Sequence, residues 1–340
     1  MRSAGKITFF LILLTVAFAI SVISSEVNDA DGSITIALPH YGGYYGIAYD
    51  SVMGEMFVAN GDFNLVYVID DNSNSVVATV SVGKVPYGVA YDFSRGEVFV
   101  ANHGGDSVSV ISDSNNTVVA NIAAGEAPSA VAYDSGKDEV FVANYNSSSI
   151  SVISDVNNTV VTNITVGIQP CALAYDSAKG EIFVGHAVGN QVEVISDSTN
   201  EVVSKITVEN QPLSMVFDVA RGEIFVASYE SSVVSIISDS TNLVVATVKV
   251  GAAPNCMAYD SGNGLVWVAS YNSTSLSAIS DSNETIVTNL TLKKQPQGIA
   301  YDSAKEEVFV TYSESNHISV ISDIFGKNFS PQPSVTHLVI

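Results

Sequence analysis

Hydrophobic and polar positions along this chain fall into short runs, and the pattern of runs returns every 42 residues. Residues 86–125 show one period. Pro86 opens a short strand through Val89 to Tyr91, and Asp92-Phe93-Ser94-Arg95-Gly96 reads as a turn. Glu97 to Ala101 make a second strand, a loop spans Asn102 to Asp106, and a third strand runs from Ser107 to Ile111. The Asp113-Ser114-Asn115-Asn116 turn leads to a fourth, Thr117 to Ala123, rich in β-branched residues. Each period is therefore predicted to be a four-stranded antiparallel meander. Val98-Phe99-Val100-Ala101 and Val118-Val119-Ala120 present apolar side chains in both directions, so both faces of such a sheet must be covered.

Two markers hold the register. Ala-Tyr-Asp ends at Asp50, Asp92, Asp134, Asp176, Asp260 and Asp302, with Val216-Phe217-Asp218 in the remaining place. Ile-Ser-Asp ends at Asp113, Asp155, Asp197, Asp239, Asp281 and Asp323, with Ile69-Asp70-Asp71 in the first copy. Seven copies follow one another without insertion or deletion, laid from Ile34 to Lys327. Four-stranded units of this length that bury both faces against their neighbours describe an all-β, seven-bladed β-propeller of four-stranded antiparallel blades. An open solenoid would need distinct polar caps, and the terminal copies resemble the middle ones.

The last copy lacks a fourth strand, because residues 327–333 read Lys-Asn-Phe-Ser-Pro-Gln-Pro and two prolines cannot serve a ladder. Ser33 to Leu38 lies 42 residues before the fourth strand of the next copy. The N-terminal strand is thus expected to close the last blade from outside.

The second strands carry a recurring motif, Phe57-Val58-Ala59-Asn60, Phe99-Val100-Ala101-Asn102 and Phe141-Val142-Ala143-Asn144. It resembles the Tyr-Val-Thr-Asn signature of the YVTN-family β-propeller repeats of archaeal surface-layer proteins and related exported bacterial propellers. The resemblance covers nearly the whole mature chain and implies the propeller fold; the family includes proteins without a known ligand, so it implies no activity. Later copies drift to Phe183-Val184-Gly185-His186, Phe225-Val226-Ala227-Ser228, Trp267-Val268-Ala269-Ser270 and Phe309-Val310-Thr311-Tyr312.

The ends place the chain in the cell. Arg2 and Lys6 precede an uncharged run from Ile7 to Ile23, so residues 1–25 read as a signal peptide, cleaved after Ala19 or near Ser24, or as an uncleaved N-terminal anchor. Residues 26–327 form the single propeller and residues 328–340 a C-terminal tail. Either leader reading puts the propeller outside the cytoplasm, secreted or at the cell surface, with the membrane touched only through an uncleaved leader. Eight Asn-x-Ser/Thr sequons fit that location as glycosylation candidates: Asn115, Asn146, Asn157, Asn163, Asn272, Asn283, Asn289 and Asn328. Cys171 and Cys256 fall at different offsets in copies that are not neighbours, and are expected to be buried free thiols.

Composition narrows the function classes. With 47% hydrophobic residues the chain is no disordered polymer, and 35 acidic against 13 basic residues, a net charge of −22, leave nothing to neutralise a nucleic-acid backbone. There is no Gly-x-Ser-x-Gly elbow, phosphate-cradling Gly-x-x-x-x-Gly-Lys or His-Glu-x-x-His. Neither a catalytic residue, a cofactor nor a metal site is assigned. The acidic turns lack the Gly and final Glu of an EF-type loop, and their recurrence in every copy marks them as Asx turns.

Internal comparison points to one face. Turns after the first and third strands are nearly uniform, whereas the loops between second and third strands differ in every copy, as does the residue after each first-strand proline. The candidate ligand-binding residues on that face and at the channel mouth are Tyr45, Tyr87, Asn255, Gln297, His103, Asp106, Tyr145, His186, Tyr229, Tyr271 and Tyr312. The residue that follows is always small (Gly46, Gly88, Ala130, Ala172, Ser214, Cys256, Gly298), as strands crowding an axis require. The function expected is a structural or binding protein of surface-layer or adhesion type, with a protein or carbohydrate partner. Alternatives are a propeller lyase or hydrolase, which would need His103, His186 or His317 to converge with acids at the mouth, and a sensor of small metabolites.

Overall fold

The computed structural model describes residues 27–28 and 33–322. The leader 1–25, the tail 328–340 and with them Asn328 and His337 lie outside the described residues. The described chain forms seven antiparallel sheets in a ring. Blades one to six each hold four strands in sequence order, as in blade two, with Pro86–Asp92, Glu97–Asn102, Ser107–Ser112 and Thr117–Ala123. The first strands pack side by side around the axis, and Pro296–Asp302 of blade seven packs against Tyr44–Asp50 of blade one, which closes the ring.

Blade seven is composite. Ile34–Gly42 pairs antiparallel with Ser315–Ser322, with Ile34 opposite Val320 and Ile36 opposite Ile318, so the N-terminal strand supplies the outer strand that the last copy lacks. A two-residue strand, Val27–Asn28, adds a fifth rung outside it. Ile36 and Leu38 are buried, and the hydroxyl of Tyr44 donates to the carbonyl of His40 where the chain turns into blade one.

The core lies between blades. Phe57, Phe99, Phe141, Phe183, Phe225, Trp267 and Phe309 occupy one register position and are fully buried. Phe99 of blade two, for example, packs with Val108, Val110 and Ile122 of its own sheet and with Val140, Val142 and Ile153 of blade three. Burying each aromatic contributes about 2–3 kcal/mol, so adjacent blades stabilise one another as the two-sided apolar pattern requires. On the outer strands a register shift, between Val118 and Ala120 in blade two, leaves Val119 bulged and exposed; Val77, Val161, Val203 and Val245 repeat it. Such bulges twist an edge away from pairing with another chain.

The small residues near the axis are dictated by backbone approach. A Cβ on Gly46 would meet the carbonyl of Tyr87, one on Gly88 would sit 2.7 Å from the carbonyl of Ser129, and one on Gly298 would strike the carbonyl of Tyr45 across the ring closure. At the opposite end of each first strand, a turn aspartate is fully buried. Its Oδ1 accepts from the amides two and three residues on, as Asp50 does from Val52 (2.8 Å) and Met53 (3.0 Å), which is the expected Asx turn.

Candidate functional site

The loops joining second and third strands lie at the same end of the ring as the starts of the first strands. The amide of His103 donates to the carbonyl of Val85 and that of Tyr145 to Ala127, just before Pro86 and Pro128. Two cavities open along the axis at this end. The outer one, about 400 Å³, is lined by Tyr87, His103, Ser129, Tyr145, Cys171, Ala187, Leu213, Asn255 and Gln297. The inner one, about 220 Å³, lies among the crowded small residues and is walled by Tyr45, Tyr87, Ser214, Cys256 and Gln297.

Aromatic rings run along one side. Tyr45 and Tyr87 stack with centroids 4.2 Å apart and planes at 21°. His103 follows at 5.3 Å from Tyr87, and Tyr145 stands edge-on to His103 at 6.1 Å. Blades one, two and three thus share a continuous aromatic wall. Burial pushes the Tyr87 hydroxyl up to about 12, with Tyr45 and Cys171 adding to it, and burial followed by Asp62 and Tyr271 raises that of Tyr45. Across the cavity stand the amides of Asn255 and Gln297, from blades six and seven. The Asn255 amide donates to the carbonyl of Pro296 at 2.9 Å, which ties the two blades.

Among the residues singled out from the sequence, Tyr87, His103, Tyr145, Asn255 and Gln297 share this cavity, and Tyr45 lies directly beneath. Tyr229 and Tyr271 are half-buried at the same register as His103 and Tyr145, but do not line it. Asp106 turns outward, and its carboxylate accepts from the Ala127 amide on the approach to blade three (2.9 Å). His186 and Tyr312 are buried inside their own blades. These two stand at the last position of the second strand, one residue before the loop, and in a strand a step of one residue reverses the side chain. Their loop counterparts are Ala187 and Ser313, of which Ala187 does reach the cavity. Ser129, Cys171 and Leu213 line it at the register of Tyr87.

The thiols depart from expectation. Cys171 and Cys256 are free but only partly buried, since their positions face the axis. Burial of the sulfur pushes the Cys171 thiol up to about 12 and raises that of Cys256, which favours the protonated thiol in both. The three loop-region histidines do not converge. His103 sits in the aromatic wall, His186 faces Glu193 in blade four, and His317 bonds Ser315 in blade seven. Among the described residues no group of three or more His, Cys, Asp and Glu is placed to hold a metal ion.

The recurring second-strand asparagine, itself buried, begins a polar column that runs outward through its own blade to an exposed asparagine. Asn102 donates to Ser109 (3.0 Å), which donates to Asn121 (2.8 Å); Asn144, Ser151 and Asn163 repeat this in blade three. Blade seven substitutes Tyr312, whose hydroxyl donates to Ser319 at 2.8 Å. Blade four substitutes a charged set: Glu193 receives Lys205 at 2.7 Å and the Gly167 amide at 2.9 Å, with His186 Nε2 at 3.5 Å.

The face opposite the mouth is built from repeated carboxylates. Between blades, the turn aspartate of one meets the Ile-Ser-Asp carboxylate of the next and a tyrosine hydroxyl, as where Tyr259 donates to Asp218 (2.7 Å) and Asp281 (3.2 Å). Asp71, Asp113, Asp155, Asp197 and Asp281 are all raised, first by burial, with the facing aspartate also contributing. Asp155, fully buried and opposed to Asp92, rises to about 7. Among the described residues no N–H or O–H reaches either of its oxygens, so a shared proton is what can join the pair. A carboxyl with a raised folded pKa contributes stability that is full below the unfolded value near 4 and is lost as pH climbs through the folded value. The melting temperature should therefore fall between pH 5 and pH 8. Asp155→Asn should remove part of that slope and stabilise the chain at pH 8 by about 2 kcal/mol. Melting curves across that range check it; a flat profile in the parent contradicts it.

No protein-family model matches the chain, and no curated protein matches it. Among solved structures, one similar chain is the hydrazine synthase of Kuenenia stuttgartiensis, with a TM-score of 0.73 and 16% identity over 85% of this chain and 97% of that one. At that identity the likeness is one of fold: this chain shares with it the β-propeller architecture.

Proposed function

We propose that this chain is an exported propeller of the cell surface, a structural or adhesion-type component that binds a protein or carbohydrate partner through the face bearing the channel mouth. The contrast between the two ends of the ring carries the reading. At one end the same Asx turns and interblade carboxylates recur blade after blade, chemistry that holds the fold. At the other, equivalent positions hold Tyr87, Ser129, Cys171, Leu213, Asn255 and Gln297, so the seven-fold pattern is given up where a partner would touch. Export is supported by the leader composition and by the sequons: Asn115, Asn146, Asn157, Asn163, Asn272, Asn283 and Asn289 are all exposed. The Phe-Val-Ala-Asn repeats support a place beside the YVTN surface propellers.

Sedimentation with envelope fragments of the producing cells tests this. The parent chain should be retained, the double variant Tyr145→Ala/Tyr271→Ala should be released, and Ser135→Ala/Ser177→Ala, in the repeated exposed turns, should behave as the parent. Protease treatment of intact cells should remove the chain. Equal retention of all three proteins, or protection in intact cells, would end the reading.

A further inference from the structure

We infer that the outer axial cavity is a subsite for a single neutral pyranose ring, bound with one face against the aromatic wall. The inference rests on the reading of the mouth as the binding face and goes further by naming the ligand class. Three observations lead there.

The first is charge. None of the residues lining the cavity is Asp, Glu, Lys or Arg, although the chain carries a net charge of −22. An anionic ligand would meet the field of the whole molecule with no cation to receive it, and a cationic one would find no carboxylate in the lining. The second is the wall. Tyr87, His103 and Tyr145 form a contiguous arc on one side, backed by Tyr45 stacked on Tyr87. Because Tyr45 and Tyr87 already stack on each other, the arc is a platform and not a box closing on a central cation. A ligand with one apolar face and a polar rim suits a platform.

The third is hydrogen bonding. The hydroxyls of Tyr45, Tyr87 and Tyr145 and the amide of Gln297 have no hydrogen-bond partner among the described residues. These atoms open to the cavity, where water or a ligand is what meets them. Phenols can donate or accept and a carboxamide does both, so the set matches the mixed donors and acceptors of sugar hydroxyls. A volume of about 400 Å³ lies at the low end of small-molecule sites, room for one ring with its substituents and not for a length of polymer. The chain end of a surface glycan fits that limit.

Titration calorimetry on the full chain tests the inference. The probes are methyl glucoside, methyl mannoside, methyl galactoside and N-acetylglucosamine, with glucuronate, choline and adenosine beside them. At least one neutral pyranoside should bind, with glucuronate about tenfold weaker or worse. Tyr87→Ala should weaken that binding by about tenfold or more, and Gln297→Ala by about threefold to tenfold. Melting curves establish that each variant is folded; should Tyr87→Ala fail to fold, Tyr145→Ala takes its place with the same expectation. No binding of any neutral pyranoside up to about 20 mM, or binding indifferent to these substitutions, overturns the inference. Binding of adenosine or choline alone, lost in the variants, overturns the sugar but leaves the mouth as the binding face. Failure of every probe together with envelope retention indifferent to Tyr145 and Tyr271 removes both readings.

Discussion

A chain beginning at Tyr41 is expected to melt at least about 10 °C below the parent, or to be unfolded at room temperature. Truncation to that point removes the strand from Ile34 to His40 that completes blade seven. Lost with it are the ladder between Ile34–Ala37 and Val320–His317 and the buried side chains of Ile36 and Leu38. Each hydrogen bond contributes about 1 kcal/mol and each buried aliphatic side chain about 2 kcal/mol or more. Against a net stability of about 5–15 kcal/mol for a folded domain, that is a large part of the whole, even after the entropy of ordering the strand is offset. The damage also reaches blade one, because Tyr44 and Tyr67 bond His40, and Tyr67 is fully buried. The truncated chain would further expose Ser315–Ser322 as an unpaired edge, a template for pairing with another copy, so aggregation should accompany the lower melting point. Ile36→Asp should reproduce much of the loss without changing chain length. Thermal melts by circular dichroism decide it; a truncated chain that melts like the parent would show that the N-terminal strand does not hold the ring.

That strand was legible in the sequence because repetition makes every absence visible: a missing seventh outer strand and an orphan strand 42 residues ahead of the fourth strand of the first complete copy point to each other. The Asx turns were legible for the same reason, since seven equivalent aspartates perform one backbone task. Side-chain direction at the ends of strands was less so. His186 and Tyr312 sit in a column that elsewhere holds Asn102 and Asn144, and only the register of the 42-residue step separates them from the neighbours that line the mouth. The drift of Asn to His and Tyr in that column was the available signal, and it marks a change inside the blade. The aromatic wall was only half legible. Tyr45 and Tyr87 share a register and His103 and Tyr145 share another, but their contact arises from the curvature that brings three blades around an axis, which no single copy encodes.

Blade four carries the second large effect. Glu193→Ala is expected to cost about 3 kcal/mol, because it removes a nearly buried carboxylate and strands the groups that converge on it. His186 is itself buried, with Nδ1 bonded to the carbonyl of Ile168 and Nε2 facing the carboxylate, so it cannot turn to water when the carboxylate goes. Lys205 can, being more than half exposed, which keeps the loss at the lower end for a buried ion pair. His186, facing it at 3.5 Å, then the hydrogen bonds from Lys205 and the Gly167 amide, hold the Glu193 carboxyl down to about 2. A depressed folded pKa contributes stability that is present above the unfolded value near 4.3 and lost as pH falls through the folded one. This set therefore weakens below about pH 4, the reverse of the interblade aspartates, which weaken the ring as pH rises toward 7. Parent and variant melting curves should diverge most above pH 4.5 and draw together near pH 2. The decisive control rebuilds the column of blade three: His186→Asn, Glu193→Ser and Lys205→Asn together should recover most of the stability lost in Glu193→Ala, since Asn144, Ser151 and Asn163 satisfy the same three positions with neutral groups. If the triple variant is as unstable as Glu193→Ala, the column is not interchangeable between blades, and the charged set is holding something that the neutral one cannot.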